Sequence, residues 1–432
     1  MNESDHLDRL ITRGPYSLDQ PAKTRIVLPA LDRLTRYHYA RSEPFRNVVD
    51  RAFGGLPRKP YGQLAELPFL PVSLFKTHTL RSIPDEDVFK VLKSSGTTTG
   101  QVSRVYLDRQ SAADQSRVLV KLLQYFLGKK RLPMVVVDAP NVVEDRRSFS
   151  ARGAGILGMM QFGYRPIYAL CDDMSLDEAR VRDYLDQHRG RPILFFGFTF
   201  IVWRHLIEPL RRRSASLEAD DGILIHSGGW KKLESHKVSR AEFNRTACDV
   251  TGARRCVNFY GMVEQIGSVF LENPLGHLHA PLFSDVIIRD PHSLRPLPDG
   301  QTGLVQVLSV LPRSYPGHSI LTEDLGRIVG CDHPALEMRG RYFEIQGRVP
   351  KAVVRGCSDT YEFPEDRQKS GLPLPLRDRA GVKGVGHERS ETDSPADPNV
   401  IPKSFSESIP PSPPTPLPQA GEGSWGGASK AA

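Results

Sequence analysis

From about Val88 onward, short runs of β-branched or aromatic residues alternate with longer stretches that have apolar residues at helical spacing. The candidate strands are Val88–Leu92, Val102–Leu107, Met134–Val137, Ile193–Gly197, Gly222–His226, Arg255–Phe259, Leu304–Leu308 and Arg341–Gln346. The candidate helices are Arg109–Leu127, Leu176–Gln187, Thr199–Arg213 and Ser239–Thr251. Because strands that alternate with helices of this length typically build crossover units, the pattern predicts an α/β fold with substantially parallel sheets and packed helices.

The two ends of the chain differ from this middle region. Residues 1–66 are polar and mostly helical in pattern, and we expect them to form a helical segment packed on the core of a main domain, residues 67–360. The apolar, proline-punctuated stretch Pro60–Phe75 predicts an ordered connection that lies on that core. Residues 361–432 contain 12 of the 35 prolines and no sustained periodicity, so we predict a disordered, Pro/Gly/Ser-rich tail.

Composition excludes several classes of protein. With 39% hydrophobic and 25% charged residues, the chain of 432 residues is expected to form a globular body. Its most apolar run, Ile193–Trp203, is too short for a membrane helix of about 20 residues, and the first residues do not resemble a secretory signal. The five cysteines include no CxxC pair, which argues against a zinc site or a disulfide framework. We therefore expect a cytoplasmic protein without a membrane span.

The charge of the chain favours anionic ligands. Its formal net charge is +8, and the 50 basic and 40 acidic residues of positions 1–360 leave that part at +10. This balance suits a nucleotide, coenzyme A or nucleic acid without choosing among them. The basic residues are spread out, with no stripe interleaved with aromatic residues, so we expect no nucleic-acid partner.

A loop of small hydroxyl residues, positions 93–104, lies between two candidate strands. Its centre consists of Ser94, Ser95, Gly96, Thr97, Thr98, Thr99 and Gly100. Backbone N–H and hydroxyl groups in such a loop can surround phosphate oxygens, and Lys93 and Arg104 flank it. The loop lacks the GK[ST] ending of a Walker A loop. It indicates either a phosphate site or a Thr-rich hairpin turn.

Three further segments carry candidate binding residues. In the YGxxE segment, Tyr260 offers an aromatic face to a base and Glu264 a carboxylate for Mg²⁺, although a core tyrosine and a solvated glutamate are alternatives. Asp324 is one of the acidic residues before Gly326, at a predicted junction between a strand and a turn. Its carboxylate would accept hydrogen bonds from ribose, or the segment is an ordinary acidic turn. Gly228 and Gly229 follow a candidate strand and would admit a flat base or form a tight turn.

The order of these segments resembles the adenylate-forming superfamily, in which acyl-CoA synthetases activate carboxylates as acyl-adenylates. Within it, the chain is most similar to the acyl-protein synthetase (LuxE-like) family, the activating component of a bioluminescence-related fatty-acid reductase complex. The resemblance runs from about Leu67 to Thr360. It includes the segments LPFLPVSLFK, SFSARG (148–153), FGFTF (196–200) and RGCS (355–358). It implies the large N-terminal-type domain of those enzymes.

The resemblance also implies roles for individual residues. The loop Ser94–Gly100 would bind the phosphates of ATP, with Gly228 and Gly229 lining the nucleotide site. Tyr260 would stack on adenine, and Glu264 would hold Mg²⁺. Asp324 would bind the ribose, and Arg348 would lie near the ribose or phosphate. Cys357 would be the acyl acceptor, since a thiolate is well suited to take an acyl group from an acyl-adenylate. Cys171, Cys248, Cys256 and Cys331 are expected to be inert.

Two departures from the superfamily pattern matter. The loop reads GTTTGQVSR where the superfamily usually has a Pro-Lys ending, so Arg104 would stand in for that lysine. Ordinary acyl-CoA synthetases continue with a small domain that carries a catalytic lysine, and we expect no complete C-terminal small domain here. Lys231, Lys232 and Lys351 are therefore alternative candidates for the basic residue that completes the adenylation site.

The resulting hypothesis is a ligase that uses ATP and Mg²⁺. It would activate a fatty acid as acyl-AMP, transfer the acyl group to its own Cys357 as a thioester, and pass it to a partner such as an acyl-CoA or acyl-protein reductase. The alternative is an acyl-CoA or aryl-CoA ligase of the phenylacetate-CoA ligase type, with coenzyme A as acceptor. Neither the chain length of the acid nor the oligomeric state follows from the sequence.

Overall fold

The computed structural model describes residues 3–94, 102–143, 151–219, 221–230 and 238–349. Their helical segments are α1 (Glu3–Arg13), α2 (Gln20–Arg41), α3 (Glu43–Phe53), α4 (Leu74–Thr77), α5 (Arg109–Leu127), α6 (Ala151–Met160), α7 (Glu178–Gln187), α8 (Thr199–Ile201), α9 (Glu208–Arg212) and α10 (Arg240–Thr251). Residues 202–207 form a π-helical turn that joins α8 to α9. Sequence signals define helix ends: for α10, the Ser239 hydroxyl accepts from the Glu242 N–H at 3.1 Å, and Gly252 terminates the helix at φ +74°.

Twelve strands of the described residues form one sheet, and two form a separate hairpin. The strands are β1 (Leu70–Pro71), β2 (Lys90–Lys93), β3 (Arg104–Leu107), β4 (Leu132–Val137), β5 (Gly163–Tyr168), β6 (Leu194–Phe198), β7 (Gly222–Ser227), β8 (Ala253–Tyr260), β9 (Phe270–Glu272), β10 (Leu278–His279), β11 (Ser284–Arg289), β12 (Gly303–Ser309), β13 (Ser319–Cys331) and β14 (Arg341–Arg348). The order in the sheet is β11-β12-β13-β14-β10-β9-β8-β7-β6-β4-β5, and β1 pairs with β13. Strands β2 and β3 form the hairpin.

The sheet has a parallel half and an antiparallel half. Strands β5, β4, β6, β7 and β8 pair in parallel, whereas β8 pairs antiparallel with β9, and the pairs along the rest of the order are also antiparallel. The predicted α/β class is confirmed. The parallel pairing that the sequence pattern indicated occupies the β4–β8 region, where helices connect the strands.

Helices cover both faces of the parallel half, which explains its near-continuous apolar strands. All six residues of β4 are buried. Met134 and Val136 pack in a core with side chains of α1, α2, α5 and α6, whereas Val135 and Val137 pack in a second core with side chains of α7, α9 and α10. A third core joins α3, the hairpin and the antiparallel strands. Both faces of β4 are thereby removed from water.

The N-terminal helix α2 is attached to the antiparallel half through buried charges. The Lys23 ammonium lies 3.7 Å from Asp285 Oδ2 and donates to the Ala280 carbonyl at 3.1 Å. Gln20 Nε2 donates to the same Asp285 oxygen at 2.7 Å, and Arg341 Nη1 lies 3.3 Å from Oδ1. Burial lowers the pKa of Lys23 to about 8. These contacts join α2 to β11 and β14. The domain boundary at residue 66 stays a prediction.

All eight candidate strands and all four candidate helices are present, with ends shifted by a few residues. The expected connection over Pro60–Phe75 lies on the core, with Leu67, Leu70 and Phe75 buried. The sequence analysis did not identify β1, β5, β9, β10, β11 and β13. The tail predicted at 361–432 lies outside the described residues. In the part of the chain that is described, no helix has the length and apolar character needed to cross a membrane.

Candidate functional site

The carboxyl ends of β7 and β8 bring two predicted segments to one edge of the sheet. These strands are parallel, with Ser227 opposite Phe259, and the Ser227 hydroxyl donates to the Phe259 carbonyl at 3.0 Å. Gly228 follows at φ +88°, a conformation that favours glycine, and a Cβ atom on Gly229 would meet no heavy atom of the described residues within 4 Å. This edge is where open α/β sheets bind ligands, and the space above Gly229 is compatible with one.

Tyr260, Asp324 and Arg348 form one contiguous cluster. The Tyr260 hydroxyl donates to Asp324 Oδ2 at 2.7 Å, and Arg348 Nε donates to Asp324 Oδ1 at 3.2 Å. Asp324 and Arg348 are cross-strand partners on β13 and β14. Burial, and then the Asp324 carboxylate, raise the pKa of Tyr260 well above its usual value, so this phenol stays protonated. The Asp324 carboxylate, 15% exposed, keeps lone pairs for further donors.

One part of the prediction for Asp324 is wrong. The acidic segment Leu321–Gly326 is not a turn but lies within the thirteen-residue strand β13. Cross-strand pairing of Asp324 with Arg348 compensates its charge, and the register shifts next to it, between Leu325 and Gly326. The carboxylate is held by a sheet rather than by a loop.

Glu264 lies on a short helical turn, Val263–Gln265, that follows β8. Its neighbour Gln265 fixes this turn, because Gln265 Nε2 donates to the Val307 carbonyl at 3.0 Å and to the Gly317 carbonyl at 2.8 Å. Glu264 is 6% exposed. Burial raises the pKa of its carboxyl, and the nearby Ser103 hydroxyl, the Lys76 ammonium and Arg348 offset part of that effect. Of these groups, Arg348 also belongs to the Asp324 cluster.

The predicted phosphate loop joins the two strands of the β2–β3 hairpin. At its base the Ser94 N–H donates to the Ser103 carbonyl at 3.1 Å, and the Ser103 N–H donates to Ser94 Oγ at 2.9 Å. Strand β3, which follows the loop, contacts the turn that carries Glu264. The base of the loop therefore lies beside this turn, and this position is compatible with a hairpin turn and with a phosphate-binding loop.

The structure brings together Ser94, Tyr260, Glu264, Asp324 and Arg348, which come from four distant segments of the chain. Ser95, Gly96, Thr97, Thr98, Thr99, Gly100, Lys231, Lys232, Lys351 and Cys357 lie outside the described residues. The charge of Lys76 lowers the pKa of the Glu264 carboxyl, but Lys76 was not identified from sequence because it belongs to no binding motif. Its only signal was its position in the LPFLPVSLFK segment.

His277 and His279, which are separated by one residue, have structural partners. His279 is buried, facing Asn273 Nδ2 at 3.2 Å and the Arg339 carbonyl at 3.1 Å, and His277 stacks on Tyr342. No group of three or more metal-ligating side chains occurs among the described residues. Burial raises the pKa of the thiols of Cys248, Cys256 and Cys331, which keeps them protonated and poorly nucleophilic.

Comparison with known proteins identifies the family. The model of the family described as "Acyl-protein synthetase, LuxE" matches residues 2–363. The chain belongs to this family. As a member of the acyl-protein synthetase family it is a ligase, and the family match covers every strand and helix described above.

Curated relatives and a solved structure agree with this assignment. A "Long-chain-fatty-acid--luciferin-component ligase" of Vibrio harveyi is 25% identical over 374 residues, covering 82% of this chain and 92% of the relative. The protein of the same name from Aliivibrio fischeri is 24% identical, covering 76% and 86%. A crystal structure of 2-hydroxyisobutyryl-CoA ligase in complex with 2-HIB-AMP and CoA superposes with a TM-score of 0.58 at 17% identity, covering 78% of this chain and 77% of that one. This acyl-protein synthetase thus has the fold of an adenylate-forming ligase.

Proposed function

We propose that this acyl-protein synthetase uses ATP to activate a long-chain fatty acid as acyl-AMP and then transfers the acyl group to its own Cys357. The thioester would be handed to a partner such as a fatty acyl reductase. The observation that carries the proposal is the Tyr260–Asp324–Arg348 cluster, in which a phenol and a guanidinium hold one carboxylate at 2.7 and 3.2 Å. The free thiol that the reaction needs persists in a reducing cytoplasm.

The cluster suits a nucleoside. Tyr260 is half-buried and packs on Phe270 and Phe343, with ring centroids 6.1 and 6.3 Å apart, so its ring is held in a fixed orientation with part of it exposed. An aromatic ring of this kind can stack on adenine. Two lone pairs of the Asp324 carboxylate are satisfied by Tyr260 and Arg348, and the others can accept hydrogen bonds from ribose hydroxyls.

The residues around Glu264 fit Mg²⁺ bound together with a polyphosphate. Mg²⁺ is commonly held by one or two carboxylates, with substrate phosphates and water as the other ligands. Glu264 is a buried carboxylate beside the base of the β2–β3 loop, where it would hold the ion. When bound, the ion would neutralise charge on the phosphate oxygens. The loop from Ser94 to Gly100, with Gly228 and Gly229, would contact the nucleotide and its phosphates.

The second half-reaction needs a nucleophile. An acyl-adenylate is a mixed anhydride, and a thiolate attacks its carbonyl carbon with AMP as the leaving group. Cys248, Cys256 and Cys331 are poor candidates, because burial raises the pKa of each thiol. On the resemblance of the RGCS segment to the acyl-protein synthetase family, we assign the acceptor to Cys357, next to Arg355 and Gly356.

The test separates the two half-reactions. The protein is incubated with ATP, Mg²⁺ and labelled tetradecanoate without coenzyme A, and the denatured protein is examined for label that hydroxylamine releases. Cys357→Ser should abolish this label yet keep fatty-acid-dependent pyrophosphate exchange, whereas Glu264→Ala should lose both. Cys331→Ser, at an exposed cysteine, is the matched control and should retain the label. Label that persists on Cys357→Ser protein would refute the assignment of the acceptor.

The fold shared with 2-hydroxyisobutyryl-CoA ligase supports a second candidate, an acyl-CoA or aryl-CoA ligase that uses coenzyme A as acceptor. The same incubation distinguishes it. If product forms only when coenzyme A is added, and no label stays on the denatured protein, the second candidate replaces the first.

A further inference from the structure

The connection between β12 and β13, residues 310–318, is buried at eight of its nine positions. Connections between strands usually run over the surface, because their backbone polar groups need water or another partner. In this connection protein groups are the partners. The Ser314 carbonyl accepts from the Ser82 N–H at 2.8 Å. His38 Nε2 donates to the Pro312 carbonyl at 3.1 Å. The β12–β13 connection is therefore part of the core.

Gly317, in the β12–β13 connection, packs directly against the turn that carries Glu264. A Cβ atom added to Gly317 would lie 2.7 Å from the Glu264 carbonyl oxygen, closer than Cβ atoms approach backbone atoms in proteins. Gln265 Nε2 donates to the Gly317 carbonyl at 2.8 Å and to the Val307 carbonyl at 3.0 Å. Because both carbonyls can only accept, both hydrogens of the Gln265 amide are used and its orientation is determined. The turn is thus held by β12 and by the β12–β13 connection.

The same connection also holds the β2–β3 hairpin. The hydroxyl of Ser314, a buried residue, donates to the Tyr106 carbonyl of β3 at 2.8 Å. Strand β3 itself contacts the turn that carries Glu264. Gly317 follows Ser314 by three residues, so one short buried segment touches both the hairpin and this turn. The β12–β13 connection therefore sets the position of the Glu264 turn relative to the hairpin.

A carboxylate that binds Mg²⁺ needs such a fixed position. Mg²⁺ demands near-octahedral geometry with ligand distances of about 2.0–2.1 Å, and residues that orient a ligand contribute to metal affinity. We propose that the β12–β13 connection positions Glu264 for Mg²⁺, with Gly317 and Gln265 as the positioning residues. Gly317 fixes the backbone of Glu264, and Gln265 anchors the turn. The inference rests on the proposed function and adds two residues that act on the ion only through Glu264.

The experiment uses the full chain with two variants. Gly317→Ala displaces the backbone of Glu264, and Gln265→Met keeps the length of the side chain but removes both hydrogen bonds that it donates. Gly222→Ala is the matched control, because a Cβ atom there would lie 2.9 Å from the Ala219 carbonyl oxygen, at the amino end of β7 and away from the candidate site. The affinity for ATP is measured by calorimetry with and without Mg²⁺, and the affinity for AMP without Mg²⁺. Fatty-acid-dependent pyrophosphate exchange is measured as the Mg²⁺ concentration is varied.

In wild type we expect Mg²⁺ to strengthen the binding of ATP. Gly317→Ala and Gln265→Met should each raise the Mg²⁺ concentration for half-maximal exchange about 10- to 100-fold, as for the loss of a residue that orients a metal ligand. Both variants should lose affinity for ATP only when Mg²⁺ is present, and they should keep the wild-type affinity for AMP. Gly222→Ala should lower the stability in urea without any of these changes.

The measurements separate a positioning role from a general structural defect. The inference alone is refuted if either folded variant keeps the wild-type Mg²⁺ dependence, or if its affinity for AMP falls as much as its affinity for ATP. It is also refuted if Gly222→Ala shifts the Mg²⁺ dependence equally. If Gly317→Ala does not fold, Gln265→Met decides. If the binding of ATP and the exchange are independent of Mg²⁺ in wild type, the proposed role of Glu264 and this inference both fail.

Discussion

Four buried histidines should make the folding stability of this protein fall steeply in mild acid. His38, His279 and His318 are fully buried and His226 is 3% exposed. Burial lowers the pKa of His38 and His226 to about 3 and that of His279 to about 4, and it holds the pKa of His318 well below its ordinary value. In the folded protein all four therefore remain neutral at about pH 5, whereas in the unfolded chain they titrate near pH 6.5.

The direction of this pH effect on stability follows from the state in which the histidines bind their protons. A histidine whose folded pKa is depressed binds its proton mainly in the unfolded state, so the free energy of unfolding decreases as pH drops below about 6.5. At about pH 5 each such group costs about 2 kcal/mol, and the four together about 8 kcal/mol. Native domains are stable by about 5–15 kcal/mol. We therefore expect the fold to be marginal at about pH 5.

The assay is urea unfolding at a series of pH values between about pH 6.5 and pH 5, where few carboxylates titrate. The dependence of the unfolding free energy on pH gives the number of protons taken up, and we expect the four buried histidines to contribute about four at the acid end of this window. His38→Gln should lower the number by about one. His292→Asn is the matched control, because His292 is an exposed histidine in the folded protein. An uptake of less than one proton in wild type would refute the reasoning.

Three further predictions concern the buried network and the site. Asp285→Asn should lower the free energy of unfolding by about 3–5 kcal/mol, because it leaves the Lys23 ammonium buried without its carboxylate. Lys23→Met should lower it by less, since Gln20 and Arg341 still satisfy Asp285. Equal losses for the two variants in urea unfolding would contradict this account. Tyr260→Phe should weaken ATP binding about tenfold by removing the hydroxyl that orients Asp324. Tyr260→Ala should weaken ATP binding further. If calorimetry finds the same ATP affinity for the Phe variant and wild type, this role for the hydroxyl is excluded. Gly267→Ala should destabilise the protein by about 1–3 kcal/mol more than Gly300→Ala. Both glycines have φ near +85°, but only at Gly267 would the Cβ atom meet Leu311 and Gln115, at 2.9 and 3.0 Å. Similar melting temperatures for the two variants would contradict the packing argument.

The sequence pattern was sufficient for the parallel half of the sheet and insufficient for the antiparallel half. Met134–Val137 and Ile193–Gly197 are apolar on both faces because helices cover both sides, and such runs are easily recognised. Strand β13 was not recognised, because glycines and an acidic pair interrupt its apolar pattern. Those residues are tolerated in a strand only through tertiary pairing, for example of Asp324 with Arg348, which local sequence cannot reveal.

The same limit applies to the site. Tyr260, Glu264, Asp324 and Arg348 could be singled out by motif, but the contact between Tyr260 and Asp324 joins residues 64 positions apart and depends on the order of strands in the sheet. Lys76 could not be distinguished by sequence among the 58 lysines and arginines of the chain. The helix that carries it, α4, follows β1, and β1 pairs with β13, a segment about 250 residues away along the chain.

The attachment of α2 to Asp285 has a consequence for the synthesis of this protein. Gln20 leaves the ribosome long before Asp285, from which it is separated by 265 residues. At about 5–20 residues per second, Gln20 and Lys23 of α2 are synthesised roughly 13 to 50 s before Asp285, the carboxylate that they contact. During that time we expect the N-terminal segment to be sensitive to proteases and to be bound by chaperones. Nascent chains stalled before and after β11 has emerged should therefore differ in cleavage within α2, and equal cleavage would show that α2 is protected by other contacts.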